Sequence, residues 1–247
     1  MPSILVTDDG PVRTIRMNRP DKKNALTLAM YAALAAALEQ QPAATRCLIV
    51  AGGANGFCAG NDIGDFARMA ELGEGLAAPL LRFLHALARC ETPLVAGVAG
   101  AAVGVGTTML LHCDYVVAAS DARLATPFVA LGLVPEAGSS LLAPRLMGHA
   151  RAFELLAMGH ALSADAAEAA GLVNQVVAPD ELEAAALAAA REIAALPPQA
   201  VRAARSLMRG STEEVVARID AEAAVFKQQL NSPEAKAAFQ AFLGRKK

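Results

Sequence analysis

Two glycine-rich loops and one isolated glutamate are the parts of this sequence whose residue types and spacing can do chemistry. The first loop, Gly56-Phe57-Cys58-Ala59-Gly60-Asn61-Asp62, follows the apolar run Cys47 to Ala51 and leads into a helical pattern from about Ile63. The second, Gly100-Ala101-Ala102-Val103-Gly104-Val105-Gly106, follows Leu94 to Gly97 and leads into another helical run. Each places unpaired backbone N–H groups at a helix start, where the helix dipole favours negative charge. Two such loops after equivalent, adjacent strands can aim their N–H groups at one spot, the geometry of an oxyanion hole. The same glycines also serve any tight strand-to-helix turn, and the residues alone leave both readings open.

The third feature is Glu136 in Leu133-Val134-Pro135-Glu136-Ala137-Gly138-Ser139-Ser140, the lone acid in the apolar stretch Thr126 to Leu142. In an apolar pocket, desolvation raises the pKa of such a carboxyl and makes it an acid-base group usable near neutrality. On the surface it would instead support the dipole of the helix that follows. Other chemistries lack their signatures. There is no GxSxG elbow, no phosphate-binding GxxxxGK[ST], and no third glycine after Gly104-Val105-Gly106. His112, set among Leu and Cys, reads as a satisfied buried residue. Cys47, Cys58, Cys90 and Cys113 form no CxxC pair, so neither a metal site nor a disulfide framework is expected, and the compartment should be reducing.

Positioning these loops falls to alternating short strands and helices. Ile4 to Thr7 and Val12 to Met17 read as a hairpin about Asp8-Asp9-Gly10. Thr27 caps a helix to about Gln40, and Leu76 to Arg89 is another, ended by Thr92-Pro93. Leu48-Ile49-Val50-Ala51-Gly52 is echoed 46 residues later by Leu94-Val95-Ala96-Gly97, and Tyr115 to Ala119 is a third such strand. This repetition predicts stacked ββα turns rather than one doubly wound sheet. After Ala143, Ala-rich helical stretches dominate, at about 150–158, 163–170, 180–195, 199–209 and 212–229, with one strand signal at Leu172 to Val177. Their wide apolar stripes predict that they cover the core or a neighbouring subunit.

The chain has 247 residues, 55% of them hydrophobic, enough for a sizeable core in one domain or one domain with an appendage. Its formal charge of −2 and the absence of Trp give no footprint for nucleic acid. Thr92 to Cys113 carries no charge apart from the titratable His112 and is long enough to span a bilayer. Pro93, Gly97, Gly100, Gly104 and Gly106 divide it into a strand, a turn and a helix, so no membrane segment is expected. The acidic start MPSILVTDDG does not suggest export, and a cytoplasmic location follows as the expectation.

Taken in order, several segments resemble the crotonase (enoyl-CoA hydratase/isomerase) superfamily. They are Asn18-Arg19-Pro20 with Asn24-Ala25-Leu26, FCAGNDIGDF at 57–66, PLVAGVAGAAVGVGTTMLLHCD at 93–114, ATPFVALGLVPEAGSS at 125–140, GLVNQVV at 171–177 and the AFQAFLGRKK tail. The resemblance implies an α/β spiral of ββα repeats over residues 1–195 and a C-terminal helical trimerisation region over 196–247. It also implies an acyl-CoA thioester substrate, no cofactor beyond the coenzyme A carried by that substrate, and a homotrimer or dimer of trimers. By motif, Ala59 and Val105 would supply the oxyanion N–H groups. Lys22, Lys23, Ala25, Cys58, Gly60, Asn61, Asp62, Ile63, Gly104, Thr108 and Phe128 would line the substrate site. Lys22, Lys23 and the Arg245-Lys246-Lys247 tail would meet the coenzyme phosphates or be plain solvated charge, and Asp62 would bind ligand or cap its helix.

The sequence departs from the hydratase pattern at two places. Hydratases of this family carry one glutamate after the glycine-rich turn and another after the Thr-Pro proline; here those positions hold Thr108 and Phe128. Glu136 instead falls where the Δ3,Δ2-enoyl-CoA isomerase subgroup carries its single catalytic glutamate. The expected activity is therefore proton transfer through Glu136, moving a 3-enoyl-CoA double bond to the 2-position. Rivals are a ring isomerase or hydratase-like enzyme on the same fold, a catalytically silent acyl-CoA-binding protein, and a nucleotide-binding domain without a fingerprint.

Overall fold

Residue 10 sets the first turn. Gly10 adopts φ 57° and is followed by Pro11, so a two-residue turn with a positive and then a fixed negative φ joins β1 (Ile4–Asp9) to β2 (Val12–Met17). Asp9 thus ends the first strand, two residues beyond Thr7, where composition alone ends it. The computed structural model that shows this describes residues 2–53, 56–62, 64–65, 68 and 75–244.

From β2 the sheet continues in parallel through β3 (Cys47–Ala51), β4 (Leu94–Val98), β6 (Tyr115–Ala119) and β9 (Gln175–Val177), in the order β1-β2-β3-β4-β6-β9. The 46-residue echo is a register: Leu48 lies beside Leu94 and Ala51 beside Gly97. β5 (Ala101–Val103) and β7 (Arg123–Ala125) leave β4 and β6 through short turns and pair with each other in a second sheet, closed by β8 (Leu162–Ser163). Cys58, after β3, makes only a parallel bridge to Ala102. Each turn of chain therefore gives one strand to the large sheet and one element to the small one, the expected ββα spiral. The stretch from Thr92 to Cys113 resolves into β4, β5 and a short helix. Among the described residues no helix is long and apolar enough to cross a membrane.

β3 and β4 are buried along their whole length, as parallel strands covered on both faces must be. On one face α1 (Leu28–Glu39) and α2 (Ala78–Arg89) pack Met30, Tyr31, Leu34, Phe83 and Leu84 against Ile15, Leu48, Val50 and Ala96. Thr27 caps α1 by accepting the Met30 N–H at 3.2 Å. On the other face α6 (Leu182–Ala195) lays Leu182, Ala186, Ala190 and Ala194 on Ile49, Val95 and Val117. Small residues let it approach closely: a Cβ on Gly97 would stand 3.4 Å from that of Ala186.

Between these come α3 (Val105–Thr108), α4 (Ser139–Leu156) and α5 (Ala164–Ala169). The helix expected at about 150–158 follows Gly148, whose non-helical backbone (φ 77°, ψ 159°) kinks α4; ahead of that kink α4 already runs from Ser139 and across Pro144. After α6 follow α7 (Pro198–Arg209), α8 (Thr212–Leu230) and α9 (Pro233–Gly244). α8 returns to the core and buries Val215, Val216 and Ile219 in the same cluster as α1 and α2. α7 anchors through Arg205, which donates to Asp114 at 2.8 Å and to the Cys90 carbonyl at 2.7 Å, and it leaves Leu207 and Met208 exposed.

Candidate active site

The first glycine-rich loop is fixed by the segment just before α1. Lys23 and Asn24 both take left-handed φ, at 48° and 56°, which turns their carbonyl and amide groups toward the loop. The buried Asn24 side chain donates to the Gly56 and Phe57 carbonyls at 2.9 and 3.1 Å, and its Oδ1 accepts the Arg19 N–H at 2.8 Å. The Ala59 N–H donates to the Lys23 carbonyl at 2.9 Å, Leu26 N–H to Gly60 at 2.8 Å, and Asp62 N–H to Leu26 at 2.8 Å. Gly60 N–H faces the buried Cys58 sulfur. What remains is the Asn61 N–H, which has no acceptor among the described residues.

This corrects one expectation. Ala59 cannot serve as an oxyanion donor while its N–H is committed to Lys23; Asn61 carries the open amide of this loop. Its side chain is also fixed, with Oδ1 accepting the buried Tyr31 hydroxyl at 2.6 Å.

The second loop lies alongside the first. Gly104 (φ 56°, ψ −118°) turns the chain into α3, and its carbonyl accepts the N–H groups of Thr107 and Thr108 at 2.9 Å. The Val105 N–H, first in that helix, has no acceptor among the described residues. A Cβ on Gly106 would stand 2.7 Å from the Cys58 carbonyl oxygen, and one on Gly60 3.0 Å from that of Val103. Glycine at 60 and 106 is what lets the two loops touch. The Phe128 ring sits over Gly104, 3.8 Å from where its Cβ would be.

Glu136 comes in from the turn before α4, 4% exposed. Thr108 Oγ1 donates to its Oε1 at 2.5 Å, while Oε2 is buried and unpaired among the described residues. Burial pushes this carboxyl up to about 8; the Thr108 hydrogen bond pulls it down and the negative Glu222 pushes it up. Of the two readings of this residue, the surface one is excluded. Tyr31 and Cys58 feel the Glu136 charge as well, so α1, both loops and the turn before α4 converge on this carboxyl.

A pKa raised in this way makes stability depend on pH. Between about pH 4.5 and 8 the folded protein holds a proton that the unfolded chain has released, so stability falls as pH rises across that window. At about 1.4 kcal/mol per unit the loss reaches a few kcal/mol. Glu136→Gln should therefore melt near the wild type at pH 4.5 and several degrees above it at pH 9, read by thermal unfolding at both pH values.

The remaining expected site residues divide. Asp62 is an anchor: its Oδ2 pairs with Arg19 at 2.7 Å, and its Oδ1 accepts the Gly64 and Asp65 N–H groups at 2.9 and 3.3 Å, the capping alternative. Ala25 accepts from Arg19 through its carbonyl. Lys22 and Lys23 are exposed. Ile63 and the Arg245-Lys246-Lys247 tail lie outside the described residues. His112 is held neutral, its pKa lowered by burial to about 4. Its Nε2–H donates to the Ala137 carbonyl at 2.7 Å, and its Nδ1 is buried without a partner among the described residues. Tyr31 and Glu222 were not expected here. Tyr31 reads as one more apolar position of α1, and Glu222 lies far along the chain in a helix with ordinary surface composition.

The enoyl-CoA hydratase/isomerase family profile matches residues 8–247. A probable enoyl-CoA hydratase of Rhizobium meliloti (strain 1021) is 32% identical over 99% of this chain and 96% of its own. Enoyl-CoA delta isomerase 2 of Rattus norvegicus is 36% identical over 89% of this chain and 57% of its own. Among solved structures, an enoyl-CoA hydratase/isomerase from Pseudoalteromonas atlantica T6c superposes with a TM-score of 0.92 at 42% identity, covering 99% of this chain and 98% of that one.

Proposed function

The chain belongs to the enoyl-CoA hydratase/isomerase family, and from that premise we propose that it isomerises 3-enoyl-CoA thioesters to their conjugated 2-enoyl forms. The observation that carries this reading is the buried carboxyl of Glu136, with one oxygen held by Thr108 and the other open.

Removing a C2 proton from a 3-enoyl thioester gives a dienolate whose charge spreads onto the thioester oxygen. The open N–H groups of Asn61 and Val105 are the donors available to that oxygen, and such donors act strongly in a site closed to water. Ionised Glu136 takes the C2 proton through Oε2 and, now protonated, returns it at C4. One group serves as base and then as acid, and no net proton is needed. Burial tunes it well for this, because a carboxylate of ordinary acidity is a feeble base toward carbon.

Hydration asks for a second carboxylate to hold water. Thr108 and Phe128 offer none, and Glu222, whose charge reaches Glu136, has both oxygens occupied by backbone N–H groups. Lys22 and Lys23 supply positive charge for the coenzyme phosphates. Assembly as a homotrimer would cover apolar side chains such as Leu207 and Met208.

Incubation with 3-hexenoyl-CoA should yield the conjugated thioester with no 3-hydroxyacyl product. Because the base must be ionised, kcat/KM should rise with pH through about 8 and level off above it. Turnover of aromatic-derived CoA esters in preference to 3-hexenoyl-CoA would favour a ring isomerase, and tight acyl-CoA binding with no turnover would favour a binding protein.

A further inference from the structure

Glu222 sits in the middle of α8 and is 6% exposed. Its carboxylate crosses to the turn that carries Glu136: Oε2 accepts the Gly138 N–H at 2.6 Å and Oε1 the Ser140 N–H at 2.9 Å. Gly138 is the N-cap residue of α4 and has no side chain to cap with. Glu222 thus supplies from a distant helix the acceptor that the first turn of α4 lacks, at the end where the dipole favours an anion.

Packing alone does not explain a carboxylate there. Desolvating an acid is costly, and an apolar side chain of similar volume would fill the same space at less cost. What the carboxylate adds is control of a turn under strain. Ala137 takes φ 63° and Gly138 φ 71°, and Ala137 is fully buried, so the left-handed conformation persists only because its surroundings hold it. His112 grips the Ala137 carbonyl from one side and Glu222 grips the next amides from the other.

Facing Glu136 are the Thr108 hydroxyl from α3, Tyr31 from α1, Cys58 from the first loop and Glu222 from α8. Facing Glu222 are the Ser140 hydroxyl of α4 and Arg218 of its own helix, and Arg218 donates to Ser140 Oγ at 3.2 Å. His112, beside the same turn, is uncharged at neutral pH. Glu222 is the one carboxylate in this set that faces Glu136.

We propose that Glu222 is a positioning residue for Glu136. It clamps the 136–140 turn so that the Glu136 carboxyl stays aimed into the site, and its charge makes that carboxyl a stronger base. The chemical consequence rests on the isomerase reading; the clamp itself rests on the geometry.

Three measurements test it together on the full-length protein. They are kcat/KM against pH with 3-hexenoyl-CoA, a ¹³C-NMR titration of the Glu136 carboxyl without substrate (assigned by its loss in Glu136→Gln), and amide exchange at Gly138 and Ser140. In Glu222→Gln, kcat should fall about tenfold to a hundredfold with KM little changed, the size expected when a reacting group is misplaced by up to about 1 Å. Both the rate limb and the carboxyl titration should move to lower pH, and the two amides should exchange at least about tenfold faster. Glu222→Asp keeps the charge on a shorter arm; exchange there should quicken while the titration stays near the wild type. An unmoved titration with wild-type exchange in Glu222→Gln overturns the proposal. If the wild type turns over no 3-enoyl thioester, the isomerase reading falls, and the carboxyl titration with amide exchange still decides the clamp. If Glu222→Gln does not fold, Glu222→Asp decides: faster exchange upholds the clamp and wild-type exchange overturns it.

Discussion

Glu136→Gln should bind acyl-CoA as the wild type does and isomerise 3-hexenoyl-CoA about 10²–10⁴ times more slowly, the usual contribution of a positioned acid-base group. The substitution is nearly isosteric. Thr108 Oγ1 can still donate to the remaining carbonyl oxygen, so the side chain keeps its place at the end of the Ala137-Gly138 turn. What disappears is the ability to accept a proton, and with it both halves of the proposed transfer. Exchange of the C2 protons of a bound thioester into deuterated solvent should be lost in parallel, because that exchange needs the base and not the return step at C4. Calorimetric affinity for a saturated acyl-CoA should change by less than about threefold, since the amides of Asn61 and Val105 are untouched. Loss of activity through unfolding is separable: the variant is expected to be the more stable protein above pH 8, where the wild type carries a buried charge. Turnover within tenfold of the wild type would remove Glu136 from the mechanism and leave the isomerase reading without a base.

Much of this arrangement was legible in the sequence because it depends on local features. The Leu48 and Leu94 runs lie side by side in the sheet because each is the all-buried strand of one spiral turn, and such strands are uniformly apolar. Glu136 stood out because acids are scarce in apolar loops, and its burial follows from the same surroundings. The assignment of the first amide donor was not legible. Whether Ala59 or Asn61 keeps a free N–H depends on where the Lys23 carbonyl points, which is set by two successive left-handed residues whose side chains give no such signal. Glu222 was hidden for a related reason. Its role is defined by two backbone amides of a distant turn, and backbone amides leave no trace in residue type. The part of α4 ahead of its kink is not legible because Pro144 and Gly148 both read as breakers; Gly148 does interrupt the helix, whereas Pro144 is accommodated in its second turn.

The open amides themselves can be tested one at a time. Val105→Pro should lower kcat about 10²–10³-fold, roughly 2.7–4 kcal/mol of transition-state stabilisation, while the protein stays folded. Proline suits this position. Val105 is the first residue of α3, where a fixed φ near −65° is favourable and the missing N–H breaks no helical hydrogen bond. Gly104 before it has no Cβ to clash with the proline ring. The Val105 side chain is 2% exposed, so some packing is lost as well, worth about 1 kcal/mol or slightly more. Val105→Ala is the control, since it loses comparable packing and keeps the N–H; its kcat should stay within tenfold of the wild type. Asn61→Pro removes the partner amide and should cost a similar factor, although it also disturbs the contact with Tyr31. On the proposed mechanism both amides serve one oxygen, so the double variant should lose less than the product of the two single factors. Equal kcat values for Val105→Pro and Val105→Ala would mean that the dienolate charge is held elsewhere, and the pairing of these two loops would then be a feature of folding alone.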